Sequence, residues 1–516
     1  MKFEGLLIQW KIIGVLILII VDTLNAQTSV QGIDLDQGEY RVGFRHYTVL
    51  DSTRTYRRAY EYSNSTMPRP VPVSIWYPSI ETTENVPVLK VLDYFEILKE
   101  EEEWEYLPDE YLLDWFYYAN TPSNQEHLQE STHAYPNTPI ADGRFPVIVY
   151  TPSFQASSIE NFALCEYLAS HGYIVIASPS RGTTTRWFSN NLAQEMETQA
   201  RDVALLISEI GKYPMADYAR IAVAGFSFGG LSNMIAQNQH AKIKAVLSLD
   251  GTERYQYALL RESPYFDPEK IRVSYFHMAQ KEIPEEVLLE DAISPDLNTD
   301  FQLYDRIANS TVYRLRFHDL THSYFSTLGV LFAERDPRQD KSDAEIMASY
   351  KWAMRYSLNF FDAILKKEEA ALRFIENKPE DNGVGSGLLS HQIKRPERVS
   401  FTFQDFNDLA AAQNYQDLPE LYDSIQKKHA DFKIPEGNLN TLGLQLVFNP
   451  ETSQKGIAVF HFATERYPNS ANLFDSLGEG YLFLGDKENA INAYEKSLEL
   501  NAANQNAIDR LKELRE

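Results

Sequence analysis

The sequence predicts an α/β fold in which an open, mostly parallel sheet carries helices on both faces, followed by an all-helical C-terminal region. The first observation is that short apolar runs alternate with segments of helical periodicity between residues 145 and 317. The second is a glycine-flanked serine, Ser227, between one of these runs and a helix. The third is a pattern with a period of about 34 residues near the C-terminus.

Length and composition indicate a globular protein of two or three domains. The chain has 516 residues, too many for one hydrophobic core, and 44% of them are hydrophobic. Its formal net charge of −25 disfavours nucleic acids and anionic membrane surfaces as partners. The single cysteine, Cys165, lies in an apolar segment and is predicted to be a buried thiol, so no intramolecular disulfide can form.

The first 26 residues have the pattern of a secretory signal peptide. Lys2 and Lys11 are basic, residues 12–21 are uniformly apolar, and Ala26 is a small residue suited to a cleavage site. This run is too short to span a bilayer core of about 30 Å. We therefore expect a secreted or periplasmic protein. An uncleaved N-terminal membrane anchor is the alternative, because residues 5–10 are also mostly apolar.

Two strands are predicted before residue 79. Residues 47–51 form the first, and in the second Val73, Ile75 and Tyr77 alternate with other residues until Pro78 ends the run. We expect the two strands to pair antiparallel at the edge of a larger sheet.

Residues 79–143 interrupt the strand pattern with a long insert. An insert of this length between two strands predicts a lid. The acidic run at residues 100–103 is interpreted as a solvated helix face. The aromatic residues either line a pocket for an acyl or aromatic group or only dock the insert onto the sheet. They include Trp104, Tyr106, Tyr111, Trp115, Phe116, Tyr117 and Tyr118.

From residue 145 onward, strands alternate with helices. Apolar runs predict buried strands at residues 146–150, 173–177, 221–224, 243–249, 271–278 and 310–317. Helical periodicity predicts helices at residues 159–170, 195–210, 231–237, 342–366 and 368–376. Ser342 and Glu345 have the spacing of a capping box. Glycines predict a flexible segment at residues 380–390, near the end of the α/β domain. This domain is expected to cover residues 27–395.

The serine in the motif Gly225-Phe226-Ser227-Phe228-Gly229 is predicted to be a nucleophile. A sharp turn from strand to helix forces such a serine into a strained backbone, and glycine two residues away on either side avoids a clash. The N-terminus of the following helix favours negative charge that develops near the serine. A tight glycine turn with an ordinary capping serine is the alternative.

Residue types suited to a catalytic triad follow on later loops, in the order serine, acid, histidine. Asp250 follows the predicted strand at residues 243–249, and His322 follows the strand at residues 310–317. With these residues the chain resembles the platelet-activating-factor acetylhydrolase and dienelactone hydrolase branch of the α/β-hydrolases, over roughly residues 38–330. The other stretches that carry the resemblance are residues 40–43, 75–78, 145–150, 168–173, 225–230 and 321–325.

The resemblance implies that Asp250 orients His322 and that His322 is the general base. Glu282, in the loop after residues 271–278, is a rival acid, and His318 is a rival base. His277 is interpreted as a core histidine because it lies on a predicted strand. No H-E-x-x-H motif indicates a metal site, and no glycine-rich phosphate loop indicates a cofactor.

The resemblance also implies an oxyanion hole formed by the backbone N–H groups of Phe228 and Phe154. Phe228 follows the nucleophile, and Phe154 lies in the loop after residues 146–150. The family usually has His-Gly in this loop, whereas this chain has Pro152-Ser153. Pro152 has no N–H group, and Ser153 lacks the freedom of glycine. The hole is therefore expected to be differently shaped or weaker.

The C-terminal part is predicted to contain tetratricopeptide-like repeats. Gly478 and Tyr494 fit the 34-residue spacing of a unit that starts at Ala471. The repeats are assigned to residues 437–516, after a helical linker at residues 396–436. We expect them either to bind a protein or peptide partner or only to stabilise the chain.

These observations lead to two hypotheses about function. In the first, the protein is a secreted serine hydrolase that cleaves carboxylic esters through an acyl-enzyme on Ser227. The resemblance implies small-acyl esters, with lipase or amidase activity as the next choice. In the second, a hydrolase scaffold of little or no activity serves as a binding protein, and the repeats contact its partner.

Overall fold

The computed structural model describes residues 28–33, 35–60, 65–80, 86–396 and 401–516. The predicted signal peptide at residues 1–26 lies outside the described residues. The chain divides into two units, Met1–Glu397 and Arg398–Glu516. In the part of the chain that is described, no helix is both long and apolar enough to cross a membrane.

The first unit is built on one sheet, whose strands lie in the order β10-β9-β8-β7-β6-β4-β5-β2-β1-β3 within the described residues. Neighbouring strands from β9 to β5 are parallel. Antiparallel pairs form between β10 and β9, between β2 and β5, and between β1 and β2. The strands are β1 Arg41–Tyr56, β2 Met67–Ser79, β3 Ala134–Pro136, β4 Phe145–Thr151, β5 Ile174–Ala177, β6 Ala216–Phe226, β7 Ile243–Leu249, β8 Ser274–Ala279, β9 Val312–Phe317 and β10 Leu389–Lys394.

Helices connect the strands and cover the sheet. In the first unit they are α1 Val30–Ile33, α2 Val91–Glu101, α3 Leu112–Trp115, α4 Pro122–Gln129, α5 Phe162–Ser170, α6 Leu192–Glu209, α7 Phe228–Gln239, α8 Tyr257–Glu262, α9 Glu285–Glu290, α10 Gln302–Arg306, α11 Thr327–Phe332, α12 Asp343–Phe361 and α13 Glu369–Glu376. In the second unit they are α14 Phe403–Ala412, α15 Leu418–Lys428, α16 Glu436–Val447, α17 Ser453–Arg466, α18 Ala471–Phe483, α19 Lys487–Leu500 and α20 Gln505–Arg515. The predicted capping box of Ser342 and Glu345 is formed at the start of α12.

The sheet has a hydrophobic core on each face. Successive strand residues point to opposite faces, so Ile148 and Tyr150 of β4 join one core and Val147 and Val149 join the other. Helices α5 and α12 contribute to the first core, and α6 and α7 to the second. Cys165 of α5 is fully buried in the first core, as predicted. The predicted fold class is therefore confirmed: a mostly parallel sheet with helices on both faces, plus a helical C-terminal region.

The strand register places several strand ends along one edge of the sheet. Thr151 at the end of β4 lies opposite Gly225 of β6. Phe226 at the end of β6 lies opposite Leu249 of β7, and Leu249 lies opposite Met278 of β8. Because these strands run parallel, the loops that follow them meet at this edge.

The two predicted N-terminal strands are β1 and β2, and they pair antiparallel as expected. The outermost position at this edge is taken instead by the short strand β3, which pairs parallel with Val42 to Phe44 of β1. The insert at residues 79–143 supplies β3 together with α2, α3 and α4.

A buried hydrogen-bond chain fastens the insert to the sheet and to α5. The indole N–H of Trp76 in β2 donates to the Tyr94 hydroxyl at 2.7 Å, and this hydroxyl donates to Glu166 Oε1 at 2.7 Å. The other oxygen of Glu166 accepts the His133 backbone N–H at 3.0 Å. Part of the insert is therefore docked against the core, which was one of the two expectations for its aromatic residues.

The acidic run at residues 100–103 is not the solvated helix face that the sequence predicted. Glu101, Glu102 and Glu103 are all buried. Glu101 accepts the Ser158 N–H at 2.9 Å, Glu102 pairs with Arg186, and Glu103 accepts the Tyr56 hydroxyl at 2.7 Å. Buried carboxylates are tolerated when donors surround them, and here the donors are the Ser158 N–H, the Arg186 guanidinium and the Tyr56 hydroxyl.

The stretch at residues 380–390 was expected to be a flexible exit and is instead part of the fold. A 3₁₀ turn at Pro379–Asn382 leads into β10, which pairs with β9 from Leu389 to Lys394. The side chain of Leu389 is buried. The glycines before it therefore form a turn between a helix and an edge strand rather than a linker.

The second unit consists of antiparallel helix pairs with a recurring close contact. Gly443 of α16 packs on the ring of Phe460 in α17, and Gly478 of α18 packs on the ring of Tyr494 in α19. A Cβ atom added at either glycine would lie 2.7 Å or 2.6 Å from a ring atom. Only glycine lets the two helices of each pair approach this closely.

We expect Glu166 to make the stability of the first unit depend on pH. Burial raises the pKa of its carboxyl from 4.5 to about 7, although hydrogen bonds from Tyr94 and the His133 N–H lower it. Such a group stabilises the fold fully below pH 4.5, and this contribution is lost as the pH rises through 7. The loss is on the order of 3 kcal/mol. Glu166→Gln should therefore flatten the decline in melting temperature between pH 5 and 8.

The control is Glu262→Gln, which removes an exposed carboxylate of the same unit. It should keep the wild-type slope of melting temperature against pH. Identical slopes in the two variants and the wild type would contradict the assignment to Glu166.

Candidate active site

Ser227 lies in a strained turn between β6 and α7. Its backbone angles are φ 52° and ψ −120°, a conformation that costs a residue with a side chain about 1–3 kcal/mol. The turn is held by two backbone hydrogen bonds to the neighbouring strand end. The Ser227 N–H donates to the Leu249 carbonyl at 3.2 Å, and the Thr252 N–H donates to the Ser227 carbonyl at 2.8 Å.

The glycines on either side of Ser227 are required by close packing of backbone atoms. A Cβ on Gly229 would lie 2.1 Å from the carbonyl oxygen of Thr151, and one on Gly225 would lie 2.6 Å from the carbonyl carbon of Gly229. Neither neighbour is a flexible side chain that could move aside. The turn therefore presses directly against the end of β4, as the motif predicts.

The structure brings Ser227, His322 and Asp250 into one hydrogen-bonded chain. The Ser227 Oγ lies 2.9 Å from His322 Nε2, and His322 Nδ1 lies 2.7 Å from Asp250 Oδ2. Ser227 is 9% exposed and Asp250 is fully buried, whereas the His322 side chain is 39% exposed. A serine hydroxyl, an imidazole and a buried carboxylate thus form one hydrogen-bonded chain, and solvent reaches the histidine.

Asp250 is held in place by groups from three directions. Its Oδ1 accepts the Gln280 backbone N–H at 3.0 Å, its Oδ2 accepts the Tyr255 hydroxyl at 2.7 Å, and Arg254 lies 3.5 Å from Oδ1. Burial alone would raise the pKa of this carboxyl. The hydrogen bond and charge of His322, with help from Arg254 and the Gln280 N–H, lower it to about 2. Asp250 is therefore ionised at neutral pH.

Gln280 and Tyr255 are site residues that the sequence analysis did not identify. The Gln280 Oε1 accepts the His322 backbone N–H at 3.0 Å, and its Nε2 donates to the Tyr255 hydroxyl at 2.7 Å. Gln280 thus contacts both the loop of the histidine and the partner of the acid. It directly follows β8, just as Asp250 directly follows β7. The same strand-end argument could have found it.

The rival candidates lie elsewhere. Glu282 is paired with Arg316 at 2.6 Å, with a side chain that is 67% exposed. His318 lies 2.5 Å from the Ser390 Oγ. His277 is buried and contacts Ser248 and Tyr275, as expected of a core histidine.

The two expected oxyanion donors flank the serine turn. Phe228 is the first residue of α7, where the backbone N–H has no acceptor within the helix. Among the described residues, no acceptor faces the N–H of Phe154. The rings of Phe154 and Phe228 are 5.9 Å apart and meet edge to face. Neither N–H group therefore has an acceptor in the described part of the protein.

A cavity of about 530 Å³ lies beside the loop that carries Phe154. Glu102, Glu160 and Arg186 are polar residues of its wall, whereas Ser227 and His322 do not line it. The rings of Trp104 and Trp115 are 4.5 Å apart. The aromatic residues of the wall come largely from the insert: Tyr60, Trp104, Trp115, Phe116, Tyr117, Tyr118, Phe154 and Trp187.

Within the residues that the structure describes, no group of three or more His, Cys, Asp or Glu side chains has an arrangement that could hold a metal ion. The arrangement at Ser227 is suited to nucleophilic attack on an acyl carbon. The Ser227 hydroxyl is within hydrogen-bond distance of an imidazole nitrogen, and the Phe228 N–H directly follows the serine in the chain.

We expect Gly229→Ala to damage the site because its methyl group would meet the Thr151 carbonyl. Overpacking of this kind costs about 1–3 kcal/mol, and it should also displace the turn and lower turnover. Gly385→Ala is the matched control, since a Cβ there meets nothing within 4 Å. It should stay within about 0.5 kcal/mol of wild type. Urea denaturation of both variants tests this, and equal stability would contradict the packing argument.

Comparison with known proteins gives a match to a family model and matches to many solved structures. Residues 129–257 match the family "PETase: PET hydrolase-like", a segment that includes Ser227 and Asp250 but ends before His322. One of these structures is the ferulic acid esterase from Streptomyces cinnamoneus, with 17% sequence identity and a TM-score of 0.46. The match covers 70% of this chain and 98% of that chain. No curated protein matches the chain. The chain is thus similar to the PET hydrolase-like family over residues 129–257.

Proposed function

We propose that the protein is a serine hydrolase that cleaves carboxylic esters through an acyl-enzyme. The observation that carries this proposal is the hydrogen-bonded chain from Ser227 through His322 to the buried carboxylate of Asp250. The strained serine turn and the similarity of residues 129–257 to the PET hydrolase-like family support it.

In the proposed reaction, Ser227 Oγ attacks the ester carbonyl carbon while His322 Nε2 takes its proton. Asp250 keeps the other ring N–H pointed toward itself and stabilises the imidazolium that forms. The N–H groups of Phe228 and Phe154 donate to the oxyanion. The tetrahedral intermediate then collapses, and His322 returns the proton to the leaving alcohol. Water, activated by the same histidine, releases the acid from Ser227.

The proposed substrate has a small acyl group, as the family resemblance implies, and a larger apolar part that enters the aromatic cavity. A volume of about 530 Å³ is in the range of small-molecule sites. Flat apolar groups suit walls built from Trp104 and Trp115. Phe154 belongs both to this wall and to the proposed oxyanion hole, and this shared residue supports the cavity as the site for the larger part of the substrate.

The assay that tests the proposal is turnover of p-nitrophenyl acetate by the purified full chain. Ser227→Ala should abolish turnover, and Asp250→Asn should lower kcat by about 10³–10⁴-fold because the histidine then loses its orienting charge. Glu282→Gln should retain wild-type turnover, since Glu282 contacts Arg316 instead. Wild-type rates in Ser227→Ala would refute the function. A large loss in Glu282→Gln with none in Asp250→Asn would reassign the acid.

The role of the insert can be tested at single residues. Deleting residues 91–120 would also remove Tyr94 and Glu101, which fasten the insert to the core. Trp115→Ala instead changes only the cavity wall. We expect it to raise KM for esters with bulky aromatic alcohols at least several-fold and to leave acetate esters of small alcohols unaffected. Tyr106→Ala is the control, because Tyr106 is 96% exposed on the same insert. Unchanged selectivity in Trp115→Ala would contradict the proposed site.

A binding protein built on an inactive hydrolase scaffold is the second candidate, favoured by Pro152-Ser153 in the oxyanion loop. The glycine–aromatic contacts of the helix pairs fit tetratricopeptide-like units. Their proposed peptide surface is a cavity of about 410 Å³ whose walls include Tyr415, His461 and Phe462.

A fluorophosphonate probe separates the candidates, because only an activated serine reacts. Stoichiometric labelling of Ser227 would eliminate the second candidate.

Export is part of the proposal and rests on the N-terminal sequence pattern. The protein would be secreted or periplasmic after cleavage following Ala26. Sequencing the N-terminus of the protein made in cells would decide between this outcome and a retained membrane anchor.

A further inference from the structure

The proposed mechanism makes no use of Glu160, a carboxyl buried directly behind the oxyanion loop. Glu160 is 7% exposed and accepts two hydrogen bonds from one residue, Ser153. The Ser153 N–H donates to Oε2 at 2.9 Å, and the Ser153 hydroxyl donates to Oε1 at 2.5 Å. The Tyr150 hydroxyl lies 3.4 Å from Oε2. The Glu160 carboxyl thus binds both the backbone N–H and the side chain of Ser153.

The two hydrogen bonds between Ser153 and Glu160 also restrict the direction of the Phe154 N–H. One peptide unit carries both the Ser153 carbonyl and the Phe154 N–H, and in a planar trans peptide they point in opposite directions. The Ser153 carbonyl accepts the Ala156 N–H at 3.2 Å. With Ser153 held by Glu160 on one side and by Ala156 on the other, the Phe154 N–H has little freedom to turn.

The loop is also anchored at Pro152, before this peptide, and at Glu160, after it. The Pro152 carbonyl accepts the Gln199 Nε2 at 2.9 Å, and the Gln199 Oε1 accepts the Ser232 hydroxyl of α7 at 2.6 Å. The Glu160 carbonyl accepts the Leu328 N–H at 3.1 Å, six residues after His322. The loop is therefore tied both to the helix after the nucleophile and to the segment after the histidine.

Burying a carboxyl in order to hold a loop costs free energy. Burial raises the pKa of Glu160 to about 7, although the Ser153 bonds, the charge of His322 and the Tyr150 hydroxyl lower it. Its two oxygens accept two donors that diverge from a single serine, which an apolar residue cannot do. The contact also accounts for a serine where the related enzymes have glycine, since the Ser153 hydroxyl makes one of the two hydrogen bonds to Glu160.

We propose that Glu160 is a positioning residue for the oxyanion hole, which holds Ser153 and, through it, the backbone N–H of Phe154 toward the reacting carbonyl. The inference rests on the proposed esterase function. In this protein, a side-chain contact does what the backbone freedom of glycine does in the related loop.

The experiment compares kcat and KM for p-nitrophenyl acetate in full-length variants. Glu160→Ala should lower kcat by about 10²–10³-fold, the loss expected for one oxyanion donor, with KM within about threefold of wild type. Glu160→Gln keeps an acceptor and a donor for Ser153 and should stay within about tenfold of wild type. Ser153→Ala should fall between them. Because both residues act through one contact, Ser153→Ala combined with Glu160→Ala should be no worse than Glu160→Ala alone.

Glu166→Gln is the matched control, because Glu166 is a second buried glutamate whose pKa is also raised to about 7, but its partners are Tyr94 and His133. It should keep wild-type kcat. Wild-type kcat in Glu160→Ala, additive losses in the double variant, or an equal loss in Glu166→Gln would overturn the inference. Should Glu160→Ala fail to fold, a loss of less than twofold in Ser153→Ala would overturn it equally.

Labelling by a fluorophosphonate separates this inference from the proposed function. An active wild type that labels at Ser227, together with an unimpaired Glu160→Ala, refutes the positioning role alone. A wild-type protein that neither turns over ester nor labels refutes both. Slower but complete labelling of Ser227 in Glu160→Ala, with full labelling rate restored in Glu160→Gln, supports the inference.

Discussion

The strained backbone of Ser227 is the constraint on which the rest of the site depends. A φ of 52° is unfavourable for serine and persists only because the surrounding structure determines it. The turn is bonded to Leu249 and Thr252, and Gly229 rests on the Thr151 carbonyl. These contacts require the ends of β4, β6 and β7 to be level, which the parallel register ensures. The sheet thus fixes the position of Ser227, and the same register places Asp250 at the neighbouring strand end.

Much of this arrangement could be predicted from sequence, because the relevant signals are local. Apolar runs identified the parallel strands, and a polar residue in the loop after such a run lies at the edge where loops meet. Asp250 and His322 satisfied that condition, and the structure brings both to Ser227. The roles of these residues remain predictions, as do the boundaries of the C-terminal repeats. Glu282 met the same condition and was not distinguishable by pattern alone; its pairing with Arg316 depends on the packing of two strands.

The features that sequence could not supply depend on long-range partners. Glu101, Glu102 and Glu103 look like a solvated run, yet their donors come from residues 56, 158 and 186. Strand β10 alternates weakly and follows glycines, so only its pairing with β9 defines it. The departure at Pro152-Ser153 looked like a weakened oxyanion loop when considered without Glu160. A substitution at one position of a loop can be understood only with the side chain that faces it.

The burial of Cys165 has a practical consequence. Its thiol, on α5, is fully buried in the first core, and burial raises the pKa of the thiol well above its ordinary value. A thiol in this state resists alkylation and oxidation as long as the domain is folded. Because the chain has one cysteine, modification by a thiol reagent reports directly on opening of the core around α5. A cysteine introduced on the surface would be the sole reactive thiol of the folded protein, so a fluorophore or spin label could be attached at one chosen position without replacing Cys165.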